Sequence, residues 1–311
     1  IGISSALVIY LIVSYDLSFD KFEKNRDRIF RVVSDFTFSG EPNRNSGVTY
    51  PMPGAIKKEI TGIENVVHFY TGYDNTKISI PEAEKKEPLV FKKQKNIVFA
   101  DAAYFDLVPY TWLAGSSKTA LQQAYQTVLS ESSARVYYPK LRPEQIIGRE
   151  IIFNDSIRAN ITGIVKDLDE NTDFRFTIFI SRTTLESRLI SQRGQTDWGS
   201  VNSASQLFLK LSPGTSPERI IQLINGLYKK YKKPDPKGQR IFACALQAFN
   251  DIHFDTVYGT FGEHTAHKPT LYGLLAVAAF LLLLGCINFI NLTTAQASQR
   301  AKEIGIRKTL G

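Results

Sequence analysis

With 311 residues, 43% of them hydrophobic and 22% charged, the chain can bury a large core, and its composition excludes wholesale disorder. Its net charge of +8 is scattered, without the aromatic–basic alternation that tracks a nucleic-acid strand, which argues against nucleic acid as a partner. The two cysteines, Cys244 and Cys286, do not read as a disulfide pair, since Cys286 falls inside the most apolar run of the chain.

The opening IGISSALVIYLIV (residues 1–13) is uncharged and shorter than the roughly 20 residues a bilayer requires. The next stretch, YDLSFDKFEKNRDRIF, holds no small-residue cleavage site. Residues 1–13 suit a signal-peptide core, a buried helix or the C-terminal part of a first membrane helix, and the last is the expectation preferred. Phe19, Phe22, Ile29, Phe30 and Val33 are spaced for a short amphipathic helix leading into a strand at Ile29–Phe38. GEPNRNSG then reads as a turn-rich loop. A helix at Pro53–Ile60 and a strand at Val66–Tyr70 complete a first β-α-β unit.

Residues 76–205 are richer in short alternating segments, among them PLVFKKQKNIVFAD, REIIFND and RANITGIVKDL. One helix, SESSARVYY, begins at Ser130 as its N-cap. This stretch is expected to be an inserted, β-rich subdomain. A second β-α-β unit comes after it: a strand at Gln206–Leu211, a helix capped by Ser216 with Pro217 at its first position, and a strand at Ile241–Phe249. The KKPDPKG loop (232–238) joins the last two. The predicted fold is α+β, two β-α-β units in one layered domain with the β-rich insertion between them, flanked by membrane helices.

Leu271–Ile290 carries no charge over its length, and as a helix it would match the ~30 Å hydrocarbon core. Arg300, Lys302, Arg307 and Lys308 come next against the single acid Glu303, while Glu263 and Lys268 cancel before the run. By the positive-inside rule the C-terminal segment lies in the cytoplasm and residues 14–270 on the outer face. Asn288, Asn291 and Thr294 are candidates for hydrogen bonds to a neighbouring helix, or for the cytoplasmic interface.

Chemistry-bearing motifs are sparse. The chain has no phosphate-binding loop, no dinucleotide fingerprint and no nucleophile elbow, so no catalytic or cofactor-binding residue is expected. Glu263, His264 and His267 have the types and spacing for a metal, but a solvated segment ahead of the membrane helix explains them more simply. Asp167, Asp169, Glu170 and Asp173 lack the glycine and distal glutamate of a calcium loop and read as a polar turn. His68 and His253, alone in strand-like segments, read as packed or edge residues.

Three stretches carry a resemblance to a family. NLTTAQASQRAKEIGIRKTLG is similar to the segment after the second membrane helix of the MacB/FtsX-type ABC transporter permeases. ITGIVKDLDENTDFRFTIFIS resembles a motif of their periplasmic core domain, with departures at Leu168 and Thr172-Asp173, expected to fall in a surface turn. YDLSFDKFEKNRDRIFRVV and LQAFNDIHF resemble the exit from the first membrane helix and the last periplasmic strand. The resemblance implies a non-catalytic permease of the bacterial inner membrane, acting in efflux or mechanotransmission, which dimerises and engages a separate ABC ATPase subunit. It leaves room for a periplasmic adaptor or an outer-membrane protein. It divides the chain into a first membrane helix (1–13), a porter-like half (14–75), the insertion (76–205), the second porter-like half (206–270), a second membrane helix (271–292) and a cytoplasmic coupling segment (293–311).

In that last segment Arg300, Lys302, Glu303, Ile304, Gly305, Arg307 and Lys308 are the residues implied to meet the ATPase subunit, and the basic ones suit anionic lipid as well. Ala301, Ile304, Ile306 and Leu310 are expected to bury against a neighbour while the charges face outward. A two-span receptor with an external sensing domain shares this topology and is the alternative.

Overall fold

The computed structural model describes residues 2–23, 25–38, 40–81, 87–232, 240–262 and 264–311. Glu263 and most of the 232–238 loop lie outside them. The chain divides into two units, one made of Asp20–Thr265 and the other of Ile1–Phe19 with Ala266–Gly311.

In the larger unit, alternating strands supply most of the core. In chain order they are β1 (Ile29–Phe38), β2 (Glu41–Asn45), β3 (Val48–Thr49), β4 (Ile63–Tyr70), β5 (Thr76–Ile80), β6 (Leu89–Gln94), β7 (Ile97–Ala100) and β8 (Trp112–Ala114). They continue as β9 (Gln126–Ser130), β10 (Glu150–Phe153), β11 (Ile157–Val165), β12 (Ile178–Ser181), β13 (Val201–Asn202), β14 (Ser205–Leu211) and β15 (Arg240–Ala248). The fold is α+β. Thirteen of the strands join in one sheet, whose path runs β15-β1-β14-β4-β7-β12-β9-β11-β10-β5-β6, with β2 on β1 and β8 on β11.

Its first four strands are antiparallel throughout, and β1 sits between β15 and β14, both from the far end of the chain. Period-2 alternation sorts their side chains onto two faces. Val32, Leu207, Leu209 and Leu211 pack beneath the helices Met52–Glu59 and Pro217–Tyr231, against Met52, Ile56, Ile220 and Ile224. Ile29, Phe69 and Phe208 face the other way, into an aromatic core with Tyr104, Phe105, Phe174, Phe179 and Phe249. Phe69 stacks on Phe208 with ring centroids 5.6 Å apart, and Phe174 on Phe249 at the same distance. Tyr70 pairs with Phe99 to carry the sheet from β4 into β7, where the mixed parallel and antiparallel part begins over an isoleucine-rich core.

Caps fall where their residue types place them. Ser130 accepts a hydrogen bond from Ser133 N, and Ser216 one from Arg219 N, both at 3.3 Å. Two local readings are corrected. GEPNRNSG is not simply a loop: Glu41–Asn45 forms β2 on the free side of β1, exposed along most of its length. It has no apolar alternation to betray it, and Pro42 is tolerated because the strand lies at an edge. The stretch after Phe19 forms no amphipathic helix, only a single turn at Arg26–Arg28. Asp20 adopts φ 54°, which stops helical winding, and Phe22 packs edge-on against Phe249.

Gly47 shows how closely the loops are fitted. A Cβ there would lie 2.0 Å from Asn202 O and 2.8 Å from Ser205 O, pushing β3 off β13. Gly47→Ala is expected to lower stability by about 1–3 kcal/mol in denaturant unfolding. Gly54→Ala, in the Met52–Glu59 helix with nothing within 4 Å of the added Cβ, is expected to raise it by about 0.5–1 kcal/mol.

In the smaller unit, Gly2–Asp16 and Lys268–Thr309 are helices packed against each other. Ala6 and Val13 on one and Leu271 and Ala278 on the other are buried. Small residues permit the approach: a Cβ on Gly2 would stand 3.2 Å from Leu281 O, and one on Gly285 4.0 Å from Ile3. The longer helix is the one helix among the described residues long and apolar enough to cross a membrane. Gly2–Asp16, at 15 residues, is shorter.

Candidate functional site

Two places stand out for their chemistry. The first lies in the larger unit, where the chain enters at Asp20 and leaves after His264. Thr172 donates from Oγ1 to Asp20 Oδ1 at 2.6 Å, and Asp20 N donates to Asn171 O at 2.9 Å. The next residue, Asp173, lies with both carboxylate oxygens 3.1–3.3 Å from His253 Nδ1, both side chains 2% exposed. The His253 ring is 6.1 Å from that of His264. Gly262 is needed here, because a Cβ on it would sit 2.5 Å from Asp173 Oδ1. Burial raises the Asp20 carboxyl to a pKa of about 6, against the opposing Thr172 hydrogen bond and with the Asp173 charge adding to it.

Asp173 and Thr172 thus occupy the interior, at 2% and 3% exposure, where a surface turn was expected. The misreading has a cause: in VKDLDENTDFRF residues 166–171 are exposed or half-buried, while Thr172, Asp173 and Phe174 are buried. Asp167 accepts from Ser132 N and Oγ, Asp169 pairs with Lys166 at 2.6 Å, and Asp173 turns inward to His253. The carboxylates serve separate partners and do not converge on a cation.

Beside this cluster is Arg31, 1% exposed at an inward position of β1 between Ile29 and Val33. Its Nε donates to Gln206 Oε1 at 2.8 Å and its Nη1 to Gly259 O at 2.8 Å, with Gln247 Oε1 at 3.4 Å. Its guanidinium lies 4.9 Å from the centroid of Phe261. Gln247 also donates to Asp255 Oδ2 at 2.8 Å, so one buried polar chain ties β1, β14 and β15 to the last loop of the unit. Burial lowers the Arg31 pKa to about 10, against the pull of Asp255 and Asp173. A charged residue at an inward register of an alternating strand was the signal in the sequence.

The remaining titratable candidates are quieter. His68 is buried and meets Ser205 Oγ at 3.0 Å; desolvation lowers its pKa to about 3, so it is neutral. Burial pushes the Cys244 thiol up to about 12, leaving it unreactive. His267 Nδ1 lies 3.0 Å from Thr270 Oγ1. No group of three or more His, Cys, Asp or Glu that could hold a metal occurs among the described residues.

The second place is the long helix. Lys268–Thr309 runs unbroken for 42 residues, about 63 Å, or twice the hydrocarbon thickness. The residues implied to meet an ATPase subunit all lie on its C-terminal third. Arg307 and Glu303 form an exposed i,i+4 pair at 3.0 Å. At about 100° per residue, Arg300, Glu303, Ile304, Arg307 and Lys308 share one side, with Lys302 and Gly305 on the other. Ile304 and Ile306 are then about 200° apart, so they form no single apolar stripe. Both are exposed, at 65% and 59%. A Cβ on Gly305 meets nothing within 4 Å, so no close approach within the chain requires that glycine. Asn288, Asn291 and Thr294 are exposed, one turn apart along the helix.

Comparison with known proteins points in one direction. No family model matches the chain. It is 25% identical over 191 residues to the macrolide export ATP-binding/permease protein MacB of Vibrio parahaemolyticus, covering 60% of this chain. It is 27% identical over 188 residues to the protein of that name in Campylobacter jejuni, covering 59%. The chain spans about a quarter of the length of these relatives, 25% in both cases. Among solved structures, a domain of a permease protein from Porphyromonas gingivalis superposes with a TM-score of 0.59 at 20% identity, over 74% of this chain and 92% of that one. The chain is MacB-like in sequence and shares the fold of a permease domain.

Proposed function

We propose that the chain is a non-catalytic permease subunit of an ABC export or mechanotransmission system, converting ATP hydrolysis by a separate ATPase subunit into motion of its Asp20–Thr265 unit. The observation that carries this reading is sequence similarity to MacB proteins, in a chain whose one long apolar helix runs on into a basic segment. The larger unit is then periplasmic, and residues 293–311 lie in the cytoplasm of a bacterium, with the inner membrane between. Residues 14–75 and 206–270 act as two porter-like β-α-β halves, of which 20–75 and 206–265 fall in the larger unit, and residues 76–205 as the insertion. The strand order β15-β1-β14-β4, with helices on one face, supports a shared porter-like module.

Partners are implied by the same reading. A second copy of the permease completes a dimer in which Asn288, Asn291 and Thr294 face a neighbouring helix. Arg300, Lys302, Glu303, Ile304, Gly305, Arg307 and Lys308 dock the ATPase subunit, the basic ones also holding anionic lipid. The two-sided display of Ile304 and Ile306 suits a segment that meets lipid or a membrane helix on one side and the ATPase on the other.

Orientation is tested by labelling whole cells with a membrane-impermeant maleimide, in a background with Cys244 and Cys286 replaced by serine. Thr265→Cys is expected to react from outside and Lys302→Cys only after lysis. The reverse pattern would overturn the topology and the coupling role with it.

A further inference from the structure

Asp20 is buried at 3% exposure, adopts the left-handed φ of 54°, and its Oδ2 has no hydrogen-bond partner. Its other oxygen accepts from Thr172, whose hydroxyl also accepts from Phe174 N at 3.0 Å. One carboxyl group therefore organises the turn by which the loop between β11 and β12 holds the start of the unit. The adjoining residue, Asp173, holds its end through His253.

We propose that Asp20, Thr172, Asp173 and His253 form a proton-operated latch, closed while the Asp20 carboxyl is protonated and loosened when it ionises. It fastens the entering and leaving segments of the Asp20–Thr265 unit to one internal loop.

The physical reason is the company Asp20 keeps. A neutral carboxyl with one unmet group costs little, whereas a carboxylate there is a desolvated charge with an unsatisfied oxygen. Asp173, beside Thr172 in the loop, repels it through its carboxylate, and its backbone N–H, turned toward the Asp20 carboxyl, offsets part of that. His253, from the Phe249–Phe254 turn, attracts it but is engaged by Asp173. Tyr104, from the Tyr104–Leu107 turn, is the other titratable group that interacts with it. Arg31 on β1 and His264 on the leaving segment stand behind Asp173 and His253 respectively.

The sign comes from linkage. Asp20 binds its proton more tightly in the folded state, with a pKa raised from 3.8 to about 6. Its stabilising contribution is complete below 3.8, falls as pH rises between those values, and is gone above about 6. Acidification toward pH 5 closes the latch and alkalinisation opens it. The inference goes beyond the transport reading and does not depend on it.

Hydrogen exchange of the full chain in detergent micelles, corrected for intrinsic rates, tests it at the Asp20 and Phe174 amides. Protection in those segments is expected to fall about tenfold between pH 5 and pH 7.5 in the wild type. Asp20→Asn, neutral at every pH, should lose that dependence while segments in β9 and β12 stay unchanged. Should Asp20→Asn fail to fold, Thr172→Val serves, read at the Asp20 amide alone because the variant removes the Phe174 acceptor: losing the hydroxyl that favours the carboxylate should move the transition to higher pH. A wild type flat over this range, an Asp20→Asn protein that keeps the wild-type dependence, or an unmoved transition in Thr172→Val would each overturn the latch.

Discussion

Arg31→Leu is expected to destabilise the larger unit by about 3 kcal/mol or more, since it strands the Gln206 side chain and the Gly259 carbonyl inside the fold and weakens the hold on Gln247. Urea unfolding of the full chain measures the loss, and exchange at residues 255–262 should rise before that of β4 or β14. The magnitude depends on which side of the network is removed. Arg31 itself resists burial, as its lowered pKa records, so the harm of Arg31→Leu lies in the orphaned acceptors. Changing Arg31, Gln206 and Gln247 together to leucine should recover part of the stability, because the Gln206 acceptor goes while Gly259 O and Asp255 Oδ2 stay without these donors. If the triple variant is no more stable than Arg31→Leu alone, the network is not what holds the last loop, and packing of Phe261 on the aromatic core is.

Reversing Arg307 and Lys308 to glutamate is expected to leave folding intact, because both side chains are exposed at the end of the long helix. In the assembled complex it should lower substrate movement by about tenfold or more while ATP hydrolysis continues, because like charges facing each other across a docking surface cost several kcal/mol. Substrate transport and phosphate release measured on the same proteoliposomes decide the matter. Full coupling in the variant would remove the docking role and leave the basic residues as a lipid anchor. Arg307 already has Glu303 as an i,i+4 partner, so the reversal also breaks a surface pair, worth only about 0.3–0.5 kcal/mol. A large transport defect cannot come from that loss.

The sequence was most legible where structure is local. β1 matches its expected limits, the helix at Met52–Glu59 lies within a residue of its expected limits, and that at Pro217–Tyr231 follows its Ser216 cap and apolar period. β2 was invisible because its ladder is made by the backbone, with no side-chain pattern to announce it. Strand order was unreadable for a related reason: Ile29 pairs with Lys210, and Phe30 with Ala248, partners that no window of periodicity can contain. At the polar cluster, spacing drew attention to Glu263, His264 and His267, while the buried groups proved to be Asp20, Arg31, Asp173 and His253. Burial of a polar side chain is decided by what packs over it. His253 was legible as a packed or edge residue and is packed, whereas Arg31, alone at an inward position, carried a signal that the periodicity reading passed over.

The central place of β1 also sets the order in which the chain can be made. β1 precedes nearly all of the unit, yet two of its three partners, β14 and β15, come after almost all the rest of it. Until Ser205–Leu211 and Arg240–Ala248 have emerged from the ribosome, β1 has only β2 against Ser34–Phe38, its other edge is open, and its guanidinium lacks its glutamines. The nascent chain must therefore keep an adhesive strand out of trouble while almost all the rest of the unit is translated, the circumstance in which strands pair wrongly. Its biogenesis is set to lean on holding chaperones, and shortening the wait, by circularly permuting β14 and β15 to precede β1, should relieve that dependence.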